Sequence, residues 1–251
     1  MLTQETYTNG VSPPCPACGG PAGAPYGAHK DWILHECSQC GLIYLDPMPG
    51  PALINYMYSD AYEDATTSYF AKAAKKLRHA RRVMALLVRV VPGGRFLDIG
   101  CNGGFMVEAA RERGFEAYGA DPDPVSIRYA SAHFPLGRFA AGTIETFAPE
   151  VLQFDLIQCS EVIEHVPDVD RFMGAIAARL KPGGHVYITT PDISHWRRPR
   201  KLIDWDGFAP PAHCLYFRPA SLKALAARHG LSVVRARFAW KPGIKMLLKR
   251  P

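Results

Sequence analysis

Phe96-Leu-Asp98-Ile-Gly100-Cys101-Asn102-Gly103-Gly104 joins a strand-like run to a helical one through a glycine-rich turn. A strand-like run, Arg95–Gly100, enters a glycine-rich turn, and a helical pattern, Gly104–Arg113, follows at once. Glycines there let the backbone approach a ligand where a side chain would clash. The next strand-like run, Glu116–Asp121, ends in an acid, and a carboxylate at that place accepts hydrogen bonds from a ribose diol. Strand, glycine turn, helix, strand and acid in that order predict a nucleoside pocket. Read structurally, the same residues make a tight turn, with Asp121 capping a helix that begins near Pro124. Both readings can hold.

The alternation continues outward from this turn. Arg138–Ala141, Phe154–Ser160 and His185–Thr190 read as further strands, and Pro124–Ala132, Asp170–Leu180 and Ser221–His229 as helices. Such alternation predicts a parallel sheet with helices on both faces. Leu231–Trp240 reads as a late strand, Lys241-Pro-Gly243 as a turn, and Ile244–Lys249 as a final strand that would add an antiparallel edge. On the N-terminal side, residues 67–91 carry Phe70, Ala73, Leu77, Ala80, Met84, Leu87 and Val91 at helical spacing. The other faces of that helix hold Lys72, Lys75, Lys76, Arg78, Arg81, Arg82 and Arg89 and no acid. They suit a solvated face or a landing site for an acidic partner. Tyr56, Tyr58, Tyr62, Tyr69 and Phe70 either line a pocket or pack the linker on its neighbour.

The N-terminal stretch has a different chemistry. Cys15-Pro-Ala-Cys18-Gly19-Gly20 and Cys37-Ser-Gln-Cys40-Gly41 give the spacing C-x2-C-x18-C-x2-C. Two residues between thiolates let one tight turn aim both sulfurs at one ion, and two such knuckles close a tetrahedral four-cysteine site. Zn2+ fits that site best, and a rubredoxin-like iron is the alternative. Four filled positions point to a structural metal, which would supply much of the local folding energy. The module ends near Asp46-Pro-Met-Pro-Gly-Pro51. The organisation expected is a zinc ribbon over 1–48, a linker and basic helix over 49–92, and the main domain over 93–251.

The 251 residues, 48% apolar and 21% charged, suffice for a buried core without disulfides. Seven cysteines, an odd number, fit a reducing compartment. No apolar run approaches a membrane span, and MLTQETYTNG lacks the features of a secretory signal, so a cytoplasmic protein is expected. The net charge of +6 allows an anionic substrate or partner without demanding one.

Phe96–Gly104 resembles the first motif of class I S-adenosylmethionine-dependent methyltransferases. Phe154-Asp-Leu-Ile157 through Glu161-Val-Ile-Glu164-His165-Val-Pro167-Asp168 resembles that family's fourth-strand motif, and Leu180-Lys-Pro-Gly-Gly184 the loop before its fifth strand. The matches follow family order from Gly93 to Pro251, with Asn102 where the family usually has glycine. The resemblance implies a Rossmann-like α/β fold, a seven-stranded sheet with helices on both faces, joined here to the small four-cysteine ribbon. It implies that Gly100 and Asn102, with Cys101 and Gly103 of the same turn, border the methionine moiety of S-adenosylmethionine. Asp98 would meet the donor's amino group, Asp121 the ribose hydroxyls, Pro122 the adenine face, and Thr143 and Ile144 its edge. Ser160 and Glu161 would face the sulfonium side. The whole chain looks like a bacterial zinc-ribbon subgroup that acts on sugars, phenols or natural-product intermediates.

Methyl transfer to a hydroxyl also requires removal of a proton. Glu161, Glu164 and His165 form an E-x-x-E-H cluster whose spacing would put all three on one face of a helical turn, and His213 lies further on. The quartet resembles the divalent-metal site of ubiquinone-pathway and small-RNA 2′-O-methyltransferases. It implies a second divalent ion at Glu161, Glu164, His165 and His213; the same residues also suit a metal-free role for His165 or His213 as base or orienting group, or a structural role such as Glu164 pairing with a nearby cation. The insert 192–213, with Trp196, Trp205, Phe208, Arg197, Arg198, Arg200 and Lys201, suits a lid over an anionic, aromatic or sugar acceptor, or a solvated basic loop. The expected substrate is a small molecule, anionic or carrier-linked, with oxygen the expected acceptor atom. A nucleic-acid methyltransferase and a non-catalytic partner-binding module are the alternatives. The modest charge argues against the first, and the intact Asp98, Gly100, Asp121 and E-x-x-E-H cluster against the second.

Overall fold

A computed structural model of the chain describes residues 13–50, 52–54, 72–147, 152–237 and 239–251. The linker tyrosines and Phe70 lie outside these residues, so the two readings given for them stand as they were. The chain divides into two compact units, one of 1–57, 161–174 and 188–248, the other of 58–160, 175–187 and 249–251.

The strands, in chain order, are β1 (Ala24–His29), β2 (Trp32–Glu36), β3 (Ile43–Leu45), β4 (Arg95–Ile99), β5 (Glu116–Asp121), β6 (Arg138–Ala141), β7 (Phe154–Ser160), β8 (Leu180–Thr190), β9 (Leu215–Tyr216), β10 (Ser232–Ala236) and β11 (Ile244–Lys249). The helices are α1 (Ala73–Leu87), α2 (Phe105–Arg111), α3 (Pro124–His133), α4 (Val169–Arg179) and α5 (Pro219–Arg228). Seven strands form one sheet in the order β10-β11-β8-β7-β4-β5-β6. Its centre is parallel: β4 pairs with β5 on one side and β7 on the other, and β5 with β6. This is the parallel α/β sheet expected from the alternation and the Rossmann-like fold that the resemblance implied.

Burial explains the apolar strand runs. Phe96, Leu97, Phe154, Leu156, Ile157 and Ile188 are all fully buried. Each contributes about 1.5–3 kcal/mol of hydrophobic stabilisation. In the second unit, α1 is tied to the residue after α2 through a two-pronged Arg81–Glu112 pair, so one of its basic residues has an acid partner. Strand β8 begins at Leu180, earlier than the expected His185. Gly183 N–H donates to Arg250 O and Arg250 N–H to Gly184 O, which carries the ladder through the Lys-Pro-Gly-Gly segment. A side chain at Gly184 would come within 2.9 Å of the carbonyl oxygens of Lys181 and Phe154, so only glycine fits. Strand β10 is shorter than the expected 231–240 and stops at Ala236.

In the first unit a separate four-stranded sheet runs β1-β2-β3-β9. Strand β9 comes from far along the chain and pairs antiparallel with β3, Ile43 opposite Tyr216 and Tyr44 opposite Leu215. The stretch 1–48 is therefore one part of a larger unit. Among the described residues no helix is long and apolar enough to cross a membrane.

Candidate functional site

The turn after β4 is shaped by three left-handed residues, Gly100 (φ 70°), Asn102 (φ 45°) and Gly104 (φ 76°). Asparagine tolerates this conformation better than most residues, which is why it stands where a glycine would serve. A side chain on Gly104 would come within 2.8 Å of the Phe139 ring, and one on Gly119 of β5 within 2.8 Å of Cys101 Sγ. The amides of Gly100 and Cys101 donate to Ala120 O, and Asn102 Oδ1 accepts from Gly103 N. Asp121 Oδ2 accepts from Asn102 N at 2.8 Å and its Oδ1 from Asp123 N at 2.9 Å. These bonds lock turn and acid together. The cap of α3 is Asp123, which accepts from Val125 N and Ser126 N, and not Asp121 as the sequence suggested. Burial raises the pKa of Asp121, and burial with the nearby Asp121 charge raises that of Asp98 well above the carboxylate range. Pro122 is exposed, and Thr143 and Ile144 follow β6. Gln158, opposite Asp98 in the β4–β7 pairing, is a buried amide that sequence reading passed over.

The other unit holds the acid–histidine cluster. Strand β7 ends at Ser160, and Glu161 takes a left-handed turn (φ 54°). A short 3-10 turn, Ile163–His165, follows. The expected helical face of Glu161, Glu164 and His165 is therefore not formed, because the left-handed residue breaks the backbone before the turn. Glu161 instead pairs with β8: its N–H donates to Thr189 O, and Thr189 Oγ1 donates to its carboxylate at 2.8 Å. Glu164 is buried and accepts from Thr190 Oγ1 at 2.9 Å. Its other oxygen, Oε1, is buried with no hydrogen-bond partner among the described residues. The two threonines that hold these carboxylates carry no sequence signal beyond their place at the end of β8.

His165 and His213 meet edge to face, with ring centroids 4.5 Å apart. His165 Nδ1 lies 2.8 Å from Ala212 O, and His213 Nδ1 lies 2.9 Å from Gly207 O. A carbonyl only accepts, so each Nδ1 carries the proton and each Nε2 is the basic nitrogen. Burial, aided by the neighbouring His213, lowers the His165 pKa to about 4, and burial lowers that of His213. Burial and the Glu161 charge push Glu164 up to about 8. Glu164, His165 and His213 each offer a ligand atom within 4.8 Å of the others. Glu161 lies outside that group.

The four N-terminal cysteines also converge, with sulfurs all within 4.8 Å of one another. Cys15 and Cys40 lie 3.7 Å apart, and Cys18 and Cys37 3.6 Å apart. Sulfurs at the corners of a tetrahedron around an ion about 2.3 Å away are about 3.8 Å apart, so the cluster can hold one metal ion. Two matched knuckles aim the sulfurs: Gly19 N–H donates to Cys15 O and Gly41 N–H to Cys37 O. Gly19 and Gly41 both have φ 70°, a conformation that glycine adopts without cost. The hydrogen bond from Cys40 holds the Cys15 thiol down at about 5.

In the insert 192–213, Trp205 is buried while Trp196 is 72% exposed. The Arg197 guanidinium lies 5.4 Å from the Trp196 ring centroid and 4.2 Å from that of Trp240. Phe208 packs on His29 at 5.5 Å and Tyr216 at 5.3 Å. Arg198 is spent on the carbonyls of Ile193 and Pro199. Of the aromatic residues expected to face an acceptor, Trp205 thus serves the core instead.

Comparison with known proteins agrees with this architecture. A ubiquinone biosynthesis O-methyltransferase of Brucella ovis is 40% identical over 106 residues, 41% of this chain and 43% of that protein. Its counterpart in a Bradyrhizobium species is 30% identical over 177 residues, 63% of this chain and 65% of that one. The chain thus spans less than two thirds of the length of these relatives. The 1,6-didemethyltoxoflavin-N1-methyltransferase of Burkholderia thailandensis, solved with S-adenosylhomocysteine, superposes with a TM-score of 0.62 at 18% identity. That alignment covers 90% of this chain and 98% of the other, and it speaks to the fold alone. Residues 69–236 match the methyltransferase-domain family, and with two thirds of its length inside that match the chain belongs to this family.

Proposed function

We propose that the chain is an S-adenosylmethionine-dependent O-methyltransferase acting on a small hydroxylated molecule. The observation that carries this reading is the convergence of Glu164, His165 and His213 within 4.8 Å. The O-methyltransferase names of the ubiquinone-pathway relatives support oxygen as the acceptor atom. When bound, the sulfonium donor supplies an activated methyl group, so the protein's main task is alignment, which is worth up to ~7–11 kcal/mol. Asp121 takes the ribose hydroxyls on the carboxylate lone pairs left beside its two amide bonds, and Asp98 takes the methionine amino group. Gly100, Cys101, Asn102 and Gly103 border the methionine, Pro122, Thr143 and Ile144 the adenine, and Ser160 and Glu161 the sulfonium side.

The acceptor's proton goes to Nε2 of His213 or His165. Both rings are neutral at pH 7, since burial depresses their pKa values. Their Nδ1 protons are fixed on backbone carbonyls, which keeps the basic nitrogens in one orientation. The same groups suit a divalent ion: two neutral imidazoles and a buried carboxyl oxygen without a hydrogen bond, whose proton a bound cation would displace, form a common donor set. Bound to Glu164, His165 and His213, such an ion would lower the pKa of the acceptor hydroxyl. The four cysteines suit a structural Zn2+.

Titration of the purified protein with S-adenosylhomocysteine, followed by transfer of labelled methyl to a panel of phenols, catechols and sugars, tests the proposal. One nucleoside bound per chain and a methylated hydroxyl are expected. Absence of binding at millimolar ligand removes the donor assignment. Full activity in both His165→Ala and His213→Ala removes the acceptor assignment.

A further inference from the structure

The four-cysteine module and the acid–histidine cluster belong to the same compact unit, and their backbones are joined step by step. From Cys40 the chain needs only Gly41 and Leu42 to reach β3, whose three residues are fully buried. Strand β3 pairs with β9 through two residue pairs. Just before β9, Leu45 N–H donates to Cys214 O at 3.0 Å, and Cys214 N–H donates to Glu164 O at 2.9 Å. Ala212, two residues earlier, provides the carbonyl that fixes the His165 ring. The link therefore runs from the second knuckle through β3 and 212–216 to Glu164, His165 and His213.

The β3–β9 ladder is two pairs long, and a slip of one residue in it would turn every side chain of 213–216 to the opposite face. Strand β3 is held on its other side by β2, through Leu34–Leu45, His35–Tyr44 and Glu36–Ile43, and at its start by the second knuckle. The knuckle is the adjoining element with a rigid geometry, and the far segment grips it with two arginines. Arg218 lies against Gly41, its Cδ 3.0 Å from where a side chain there would begin, and it pairs with Glu36 of β2. Arg228 lies against Gly19 and donates to Pro16 O and Ala17 O, both at 3.1 Å, while also pairing with Asp170 at 2.9 Å. Each of these guanidiniums also pairs with a carboxylate, Glu36 or Asp170, so they tie the knuckle glycines to β2 and α4 rather than neutralise the thiolates.

We propose that the metal-loaded Cys37–Cys40 knuckle is a positioning element for the acceptor cluster, setting His213 and Glu164 through the β3–β9 register. This rests on the reading of that cluster given above. The test uses the full-length protein stripped of metal with a chelator, then reloaded with Zn2+. Amide exchange at Cys214 and Leu45, ring 15N signals of His165 and His213, and affinity for S-adenosylhomocysteine are followed together. In the stripped protein, exchange at Cys214 should speed up by about tenfold or more, as expected for a locally released segment. The His213 ring should lose its fixed Nδ1-H tautomer, nucleoside affinity should stay within about threefold, and Zn2+ should restore the loaded state. Unchanged Cys214 exchange and unchanged histidine signals would overturn the proposal. Loss of nucleoside binding in step with them would overturn it too, since the effect would then be general unfolding. If the stripped protein precipitates, metal-loaded Arg218→Gln, which frees the Gly41 side of the second knuckle, takes its place: faster Cys214 exchange supports the proposal and no change overturns it. A wild-type protein that binds no nucleoside overturns the enzymatic reading alone.

Discussion

The turn from Asp98 to Asp123 and the cluster around Glu164 are built in opposite ways. The turn closes on itself within one strand–helix–strand segment, and backbone amides of Asn102 and Asp123 hold its key carboxylate. The cluster gathers Glu164 and His165 from one segment and His213 from another, with Cys214 N–H bonded to Glu164 O across fifty positions of sequence. A site made of local backbone geometry survives small shifts elsewhere. A site made of side chains from distant segments depends on every element that sets their register.

The largest effect should separate the two regions. With zinc held by the four cysteines as proposed, Cys37→Ser should lose it and most of the soluble yield, since structural zinc can supply ~10–16 kcal/mol of apparent folding free energy. Metal content by mass spectrometry checks this, and a full complement of metal would break the contrast. His213→Ala and His165→Ala should each lower turnover by about 10²–10⁴-fold, while calorimetry shows nearly unchanged affinity for S-adenosylhomocysteine.

Gly104→Ala probes the turn itself. It combines left-handed strain of about 1–2 kcal/mol with overpacking of about 1–3 kcal/mol against Phe139, read as a lower Tm. Asp121→Ala should weaken nucleoside binding by about tenfold or more and leave the buried Asp123 amide and the part-buried Asn102 amide unpaired, at about 1–3 kcal/mol. Unchanged affinity would remove the ribose assignment.

The smallest effect lies at Asp155. Burial opposes its ionisation, but Lys181 Nζ at 2.7 Å and the Arg95 amide outweigh burial and hold its pKa below the usual value. A depressed carboxylate contributes stability above its unfolded pKa and loses it as pH falls through the folded value. For a pair this exposed the contribution is below about 1 kcal/mol. The Tm difference between wild type and Asp155→Asn should therefore be small at neutral pH and shrink in acid.

Much of the seven-stranded sheet was legible in advance. Strands β5, β6, β7 and β11 have the expected bounds, since hydrophobic runs and turn residues are local signals. The four cysteines were legible because their spacing is a local geometric demand. The E-x-x-E-H segment was visible as chemistry but not as geometry: the left-handed Glu161 broke the helical face, and no periodicity reports a single φ angle. Thr189 and Thr190 went unread because a threonine at a strand end has many ordinary uses. Asp123 took the capping role that Asp121 offered, because Asp121 is engaged by the turn.

The alternating α/β order, the glycine turn with its acid and the paired knuckles follow from local sequence, because each depends on residues a few positions apart. That β9 completes the N-terminal sheet, that Arg218 and Arg228 close over the knuckle glycines, and that His213 meets His165 emerge only from long-range packing. Those outcomes depend on long-range pairing, where burial and backbone hydrogen bonding select among many partners that the local sequence leaves equivalent.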